Sequence, residues 1–325
     1  MYVHRTLAAL AACLTTLVLT GTAVAVPATT EIKPGALPRG ADTAIPHLEG
    51  KTVVDGDVRV RVRAAAVRLL GRSGSSYVVH TQNRDFTVSR LVRLEADGSR
   101  TVIAEGDEGD LVEPLLASDG LRLVAGAYRG KDTTLRVWSV ATGQVEARRH
   151  FRGYPTVLDA RGDQVLLGVW ERGTLSWDLS TGSVVRLTKR VGGSASLEED
   201  LLSTYTADPY QGGCAVVSRI SDTGDVLWRS CTERVESFAP GGARMVTVHL
   251  LSDGIGPNQA SVRTLGGRLV ARYTVQGWFG GLTFESSKAL LLETNGKKQA
   301  TTVRCIKADC ERAEDLRPVE MPRTG

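Results

Sequence analysis

Seven turn marks recur along this chain at nearly even spacing, and that rhythm limits the architectures it can adopt. Two segments show the unit most fully. Leu135-Arg136-Val137-Trp138-Ser139-Val140-Ala141-Thr142-Gly143-Gln144 is echoed by Leu175-Ser176-Trp177-Asp178-Leu179-Ser180-Thr181-Gly182-Ser183. Each reads as a strand carrying a Trp, a tight Thr-Gly turn and a second strand with the period of two of a half-buried sheet. The glycine supplies the positive φ that such hairpins often need. The same mark stands at Gly56, Gly98, Gly224 and Gly266, with Ala308 in the matching turn of the last unit, so the intervals are 42, 45, 39, 42, 42 and 42 residues. A period of about 40–45 residues is that of four-stranded propeller blades. A β-sandwich with regular turns is the bland alternative, but it does not require so steady a long period.

The strands between the marks group into quartets. Four lie between Val67 and Ile103, four between Leu111 and Arg149, and four between Thr156 and Leu187; further quartets fit Ala195 to Cys231, Val235 to Thr274 and Phe279 to Leu316. The expected fold is therefore all-β, a seven-bladed propeller of four-stranded antiparallel blades, with six blades as the alternative. The hairpin around Gly56 reads as the third and fourth strands of a blade with little sequence before it to supply the innermost one. The N- and C-terminal strands are thus expected to share a blade, Lys51 to Val62 pairing with a strand near Pro318 to Met321, which also removes exposed edges.

Three stretches carry a family likeness. Trp177-Asp178 is a WD dipeptide in the expected strand, while Trp138-Ser139 has lost its Asp. Phe238-Ala239-Pro240-Gly241-Gly242-Ala243-Arg244-Met245-Val246 is similar to the Phe-Ser-Pro-Asp-Gly-Lys-Arg turn of TolB-type blades. Asp222-Thr223-Gly224-Asp225-Val226-Leu227-Trp228 is similar to the blade ending of quinoproteins, in which the Trp packs between neighbouring sheets. The chain resembles secreted bacterial WD40-like and TolB-like β-propellers over nearly all its length after the leader. These motifs build blades, so what the resemblance implies is a fold and not a chemistry.

Residues 1–25 read as a secretory signal peptide. His4 and Arg5 precede an apolar run from Leu7 to Leu19, and Thr22-Ala23-Val24-Ala25 offers a small-x-small cleavage site. The run is shorter than the roughly 20 residues a membrane span needs. Residues 26–44, rich in Pro and Thr without apolar period, are expected to be a flexible linker, and 45–325 a single propeller domain. Four cysteines then remain, and an even number in an exported chain suggests disulfides. Cys214 and Cys231 flank the turn Ser221-Asp222-Thr223-Gly224, and Cys305 and Cys310 bracket Ile306-Lys307-Ala308-Asp309. Two local bridges, Cys214–Cys231 and Cys305–Cys310, are expected, in an extracytoplasmic monomer with no stable membrane span after cleavage.

The formal net charge is +4, spread along the chain. No basic block interleaved with aromatics is present, so nucleic acid is not the expected partner; Arg59-Val60-Arg61-Val62-Arg63 reads as the solvated face of a strand. The histidines lack a metal-ligand spacing, there is no Gly-x-Ser-x-Gly elbow, and Glu105-Gly106-Asp107-Glu108-Gly109-Asp110 reads as an exposed acidic turn. No cofactor or metal is expected. The remaining signal is on the loops that join second to third strands and successive blades. There Arg152, Tyr154, Tyr210 and Trp278 are candidate recognition residues for a protein or a cell-envelope polymer. The alternative is a metal-dependent, lactonase-like enzyme with a central-channel site, for which Glu113, Asp159 or Glu285 could supply oxygen ligands.

Overall fold

The computed structural model describes residues 29–321, and the expected leader lies outside them. Seven antiparallel sheets stand around a common axis. A short strand, β1 (Thr29–Ile32), precedes the ring. Blade one holds β2 (His47–Glu49), β3 (Thr52–Asp55) and β4 (Val58–Arg61). Blade two holds β5 (Ala66–Ser73), β6 (Ser76–Gln82), β7 (Val88–Leu94) and β8 (Arg100–Asp107). In blade three these are β9 (Val112–Leu116), β10 (Arg122–Arg129), β11 (Asp132–Ser139) and β12 (Val145–Arg152). Blade four has β13 (Thr156–Arg161), β14 (Gln164–Val169), β15 (Gly173–Asp178) and β16 (Val184–Thr188). Blade five follows with β17 (Val191–Ser196), β18 (Leu201–Tyr205), β19 (Ala215–Arg219) and β20 (Val226–Ser230). Blade six has β21 (Glu233–Phe238), β22 (Arg244–His249), β23 (Gln259–Thr264) and β24 (Leu269–Val275). Blade seven has β25 (Trp278–Phe284), β26 (Leu290–Asn295), β27 (Gln299–Ile306) and β28 (Asp309–Arg312), with β29 (Arg317–Pro318) beside β27.

Burial explains the strand compositions. The second and third strands are covered on both faces by neighbouring blades, so Val165 to Val169 of β14 are buried without a break, as a two-sided strand requires. The outer strands alternate instead: on β12, Phe151 faces the core and Glu146, Arg148, His150 and Arg152 face solvent. The apolar cores lie between blades. Trp177 is 2% exposed, meets Phe151 edge-to-face at 6.2 Å across the blade three–blade four junction, and anchors one such core.

The turn marks have a packing role beyond their backbone shape. The turn between the third and fourth strands of each blade from two to seven leans on the outermost strand of the blade before it. Gly98 lies nearest Val60, and Gly143 nearest Ile103. Arg149 donates to the Gly182 carbonyl, Thr223 to that of Leu187 at 3.3 Å, and Tyr273 to that of Lys307 at 2.6 Å. At Gly267 a Cβ would stand 2.3 Å from the Trp228 ring, and φ is +83°, so both constraints demand glycine there. The left-handed residue falls on Gly56, Gly98, Gly143 and Gly182 as expected, but on Gly267 and Lys307 in the last two blades, and Gly224 is not left-handed. In the Gly224 turn the Asp222 carboxylate accepts the Gly224 N–H at 2.9 Å and shapes the turn instead.

Both expectations about the ends of the described chain are corrected. Arg317 and Pro318 pair with Ala300 and Gln299 of β27 and so stay in blade seven, not in blade one. Thr301 holds the Glu314 carbonyl at 2.8 Å, keeping this segment on the β27 edge, and Pro318 has no N–H with which to carry a ladder onward. The second strand of blade one comes from His47–Glu49. The expected flexible linker over 26–44 is, in its described part, docked. Thr29–Ile32 pairs in parallel with Arg272–Val275 along the outer edge of blade six, and Ile32 is 1% exposed in the core shared by blades six and seven. Arg39 then bridges to Arg312 at the outer edge of blade seven.

Candidate binding face

One end of the ring carries the longer connections, those joining second to third strands and one blade to the next. Between blades three and four they form a recess of about 730 Å³, lined by Lys131, Arg152, Gly153, Tyr154, Trp170, Glu171 and Arg172. Its walls are fixed by backbone bonding. The Gly153 N–H donates to the Lys131 carbonyl at 2.8 Å, and Thr133 donates to the Gly153 carbonyl at 2.7 Å. Tyr154 donates to the Gly130 carbonyl at 2.6 Å and stands edge-on to Tyr128 at 5.3 Å, yet remains 53% exposed. Opposite it, Trp170 is 55% exposed at the head of a turn closed by Arg172 N–H donating to the Val169 carbonyl at 3.1 Å. Glu171 takes φ +68° in that turn, a strained conformation for a residue with a side chain.

Lys131, Arg152 and Arg172 have no ion-pair partner among the described residues. Glu171 is the one acid on the recess wall. The recess therefore combines two ring faces with an excess of uncommitted positive charge.

The expected recognition residues divide. Arg152 and Tyr154 meet in the recess. Tyr210 is 67% exposed on the next blade, blade five, where its hydroxyl donates to Asp253 at 2.6 Å and ties the loop of blade five to that of blade six. That bond raises the Tyr210 pKa. Trp278 is not a surface residue: it is 8% exposed at the start of β25, packed against Gly256. The sequence reading missed Trp170, Lys131 and Arg172. The available signal was a Trp directly ahead of the Glu171-Arg172-Gly173 turn, on the long-loop side of a buried strand.

Two of the three carboxylates named for a channel enzyme, Asp159 and Glu285, are separately engaged. Asp159 accepts the Leu197 N–H at 2.7 Å and its neighbour Ala160 N–H at 2.8 Å, clipping blade four to blade five; burial pushes its pKa up in spite of these bonds. Glu199 likewise accepts the Gly241 N–H at 2.8 Å between blades five and six. Burial acts to raise the Glu285 pKa, but its two-pronged bond with Arg304 at 2.6 and 2.9 Å, the Ala44 N–H and the Arg304 charge together hold it down. Glu113 sits on β9 with φ +47°. Among the described residues no group of three or more His, Cys, Asp or Glu side chains is arranged to hold a metal ion. In the acidic turn, Glu105 accepts from Arg90 at 2.5 Å and Asp110 from Arg129 at 2.9 Å, so two of its four carboxylates are paired across strands. Both expected disulfides, Cys214–Cys231 and Cys305–Cys310, are formed. No helix among the described residues is long and apolar enough to cross a membrane.

With that geometry in place, comparison with known proteins defines the class: this chain has a β-propeller fold. No protein-family model and no curated protein matches the chain. The β-propeller domain of the Trilobed protease from Pyrococcus furiosus, described as having an open velcro topology, superposes with TM-score 0.57 at 10% identity over 86% of this chain and 96% of that one. The computationally designed Ika8 protein gives TM-score 0.52 at 15% identity over 88% and 90%. TolB from Acinetobacter baumannii gives TM-score 0.47 at 19% identity; the match covers 68% of this chain and 57% of TolB. At such identities the likeness is one of fold.

Proposed function

We propose that this protein is an exported, non-enzymatic binding module that engages a protein or cell-envelope component through the recess between blades three and four. The observation that carries this reading is the pair of half-exposed rings, Tyr154 and Trp170, flanking Lys131, Arg152 and Arg172 with no anionic partner among the described residues. Trp, Tyr and Arg are the side chains that dominate binding energy when a partner covers them. Uncommitted cations add electrostatic steering toward an acidic surface. Export is supported by the leader pattern and by two disulfides, which persist in oxidising compartments. Tyr210, bridging two further loops, extends the same face.

The test is capture from a cell-envelope extract by the purified protein, compared with Tyr154→Ala/Trp170→Ala. The double variant is expected to lose the captured component by at least about tenfold, since each hot-spot ring contributes about 1–2 kcal/mol. Its melting temperature should barely move, because neither ring is buried. Equal capture by both proteins would refute the reading.

A further inference from the structure

Among the described residues, blade one lacks one strand. Six blades carry four strands and blade one carries three. Because the Gly98 turn of blade two rests on Val60, as the corresponding turns of later blades rest on outermost strands, β4 is the outermost strand of blade one. The vacancy is therefore innermost, beside β2, whose ladder is satisfied by β3 on one side alone. At that place a cavity of about 410 Å³ opens between blade seven and blade two. Along β25 the alternation confirms an uncovered face: Leu282 and Phe284 are buried, whereas Gly281 and Thr283, which line the cavity, are exposed.

The two walls differ in chemistry. Val67 and Leu69 present apolar surface from blade two; Glu293 and Glu314 present carboxylates from blade seven. Arg317 pairs with Glu293 at 3.3 Å. Burial pushes the Glu314 pKa up, against the Thr302 hydroxyl, the His47 ring at 3.9 Å and the Arg317 charge. His47 is held through Nδ1 by Thr43 at 2.5 Å, while its enclosed Nε2 has no hydrogen-bond partner among the described residues. Arg68, the other cation on the wall, is bonded to the Pro114 carbonyl at 2.6 Å. A strand placed here would send alternate side chains to opposite walls.

We propose that the vacant innermost position of blade one is a β-augmentation site for an extended segment of a partner protein whose side chains alternate apolar and basic. The segment runs antiparallel to β2, as the first strand of every other blade runs against its second. Its apolar side chains meet Val67 and Leu69, and its basic ones meet Glu314. An open sheet edge supplies affinity through main-chain hydrogen bonds, and the walls supply selectivity. This site is separate from the recess between blades three and four, so each reading can fail without the other.

The full chain, titrated with the peptide acetyl-Val-Lys-Val-Lys-Val-amide, tests the proposal by residue-resolved amide exchange. Exchange at residues 47–49 should slow by at least about tenfold at saturating peptide, and the acidic counterpart with Glu for Lys should bind at least about tenfold more weakly, a difference of about 1.4 kcal/mol. Gly281→Phe and, separately, Thr283→Phe fill the cavity from β25 and should abolish the protection, with circular dichroism reporting that each variant is folded. Unchanged exchange with the basic peptide, or equal response to the acidic one, would overturn the proposal. So would protection that rises with protein concentration alone, which assigns the position to a second copy, or protection without peptide that is lost on removal of residues 319–325, which assigns it to the chain's own end.

Discussion

His80 on β6 pairs across the sheet with Arg68, and its enclosed Nε2 has no partner among the described residues. Burial first, and then the Arg68 charge, lower its pKa from 6.5 to about 4. The folded state thus holds this proton more weakly than the unfolded chain does. The associated stability is present above pH 6.5 and is lost as pH falls toward 4. Because the ring retains part of its hydration, the linkage is discounted to about 1–2 kcal/mol. Asp159, Glu236 and Glu314, whose pKa values burial raises, act in the opposite sense, losing stability as pH rises. The difference between wild type and His80→Gln isolates the histidine. Urea midpoints of the two should converge between pH 7 and pH 4.5, and a constant gap would contradict the assignment. At this scale the candidate site was only partly legible. Loop position could be read for Tyr154 and Trp278 alike, but whether a ring faces solvent depends on Tyr128 beneath one and Gly256 against the other, contacts made by residues remote in sequence.

Among elements, β1 shows where sequence patterning runs out. Four residues, Thr29-Thr30-Glu31-Ile32, are too few to display a period, and their partner lies at Arg272–Val275. The antiparallel quartets were legible because each hairpin is local and closed by its own turn; the parallel strap and the vacancy in blade one depend on pairing between distant segments. Ile32→Ala should cost about 2–4 kcal/mol, the range for truncating a buried Ile. Limited proteolysis should then cut within 33–42 well before the blades are attacked. Cleavage no faster than in the wild type would mean that the strap is held elsewhere.

Over the whole molecule, covalent and ionic ties act at different ranges. The disulfides join residues 17 and 5 positions apart within single blades, so reducing each should remove about 2–3 kcal/mol while leaving the ring intact. Arg304 works across the seam. It pairs with Glu285 and Glu311 and donates to the carbonyls of Ala41 and Asp42, joining blade seven to the segment that enters blade one. With Glu285 8% exposed, Arg304→Met strands a buried carboxylate at a cost of about 3–5 kcal/mol. Denaturant titration should therefore find Arg304→Met less stable than protein with either single bridge reduced, and the reverse order would reject this account.

The strap also dictates an order of events. Thr29–Ile32 leaves the ribosome ahead of every blade, yet its docking surface on β24 is not complete until Val275 has been made, and Arg39 must wait for Arg312. Contacts this distant raise the contact order of the closing step, and steps of that kind are slow. Blades two to five can assemble during synthesis from hairpins a few residues apart, whereas this strap, made before them, is among the last to settle.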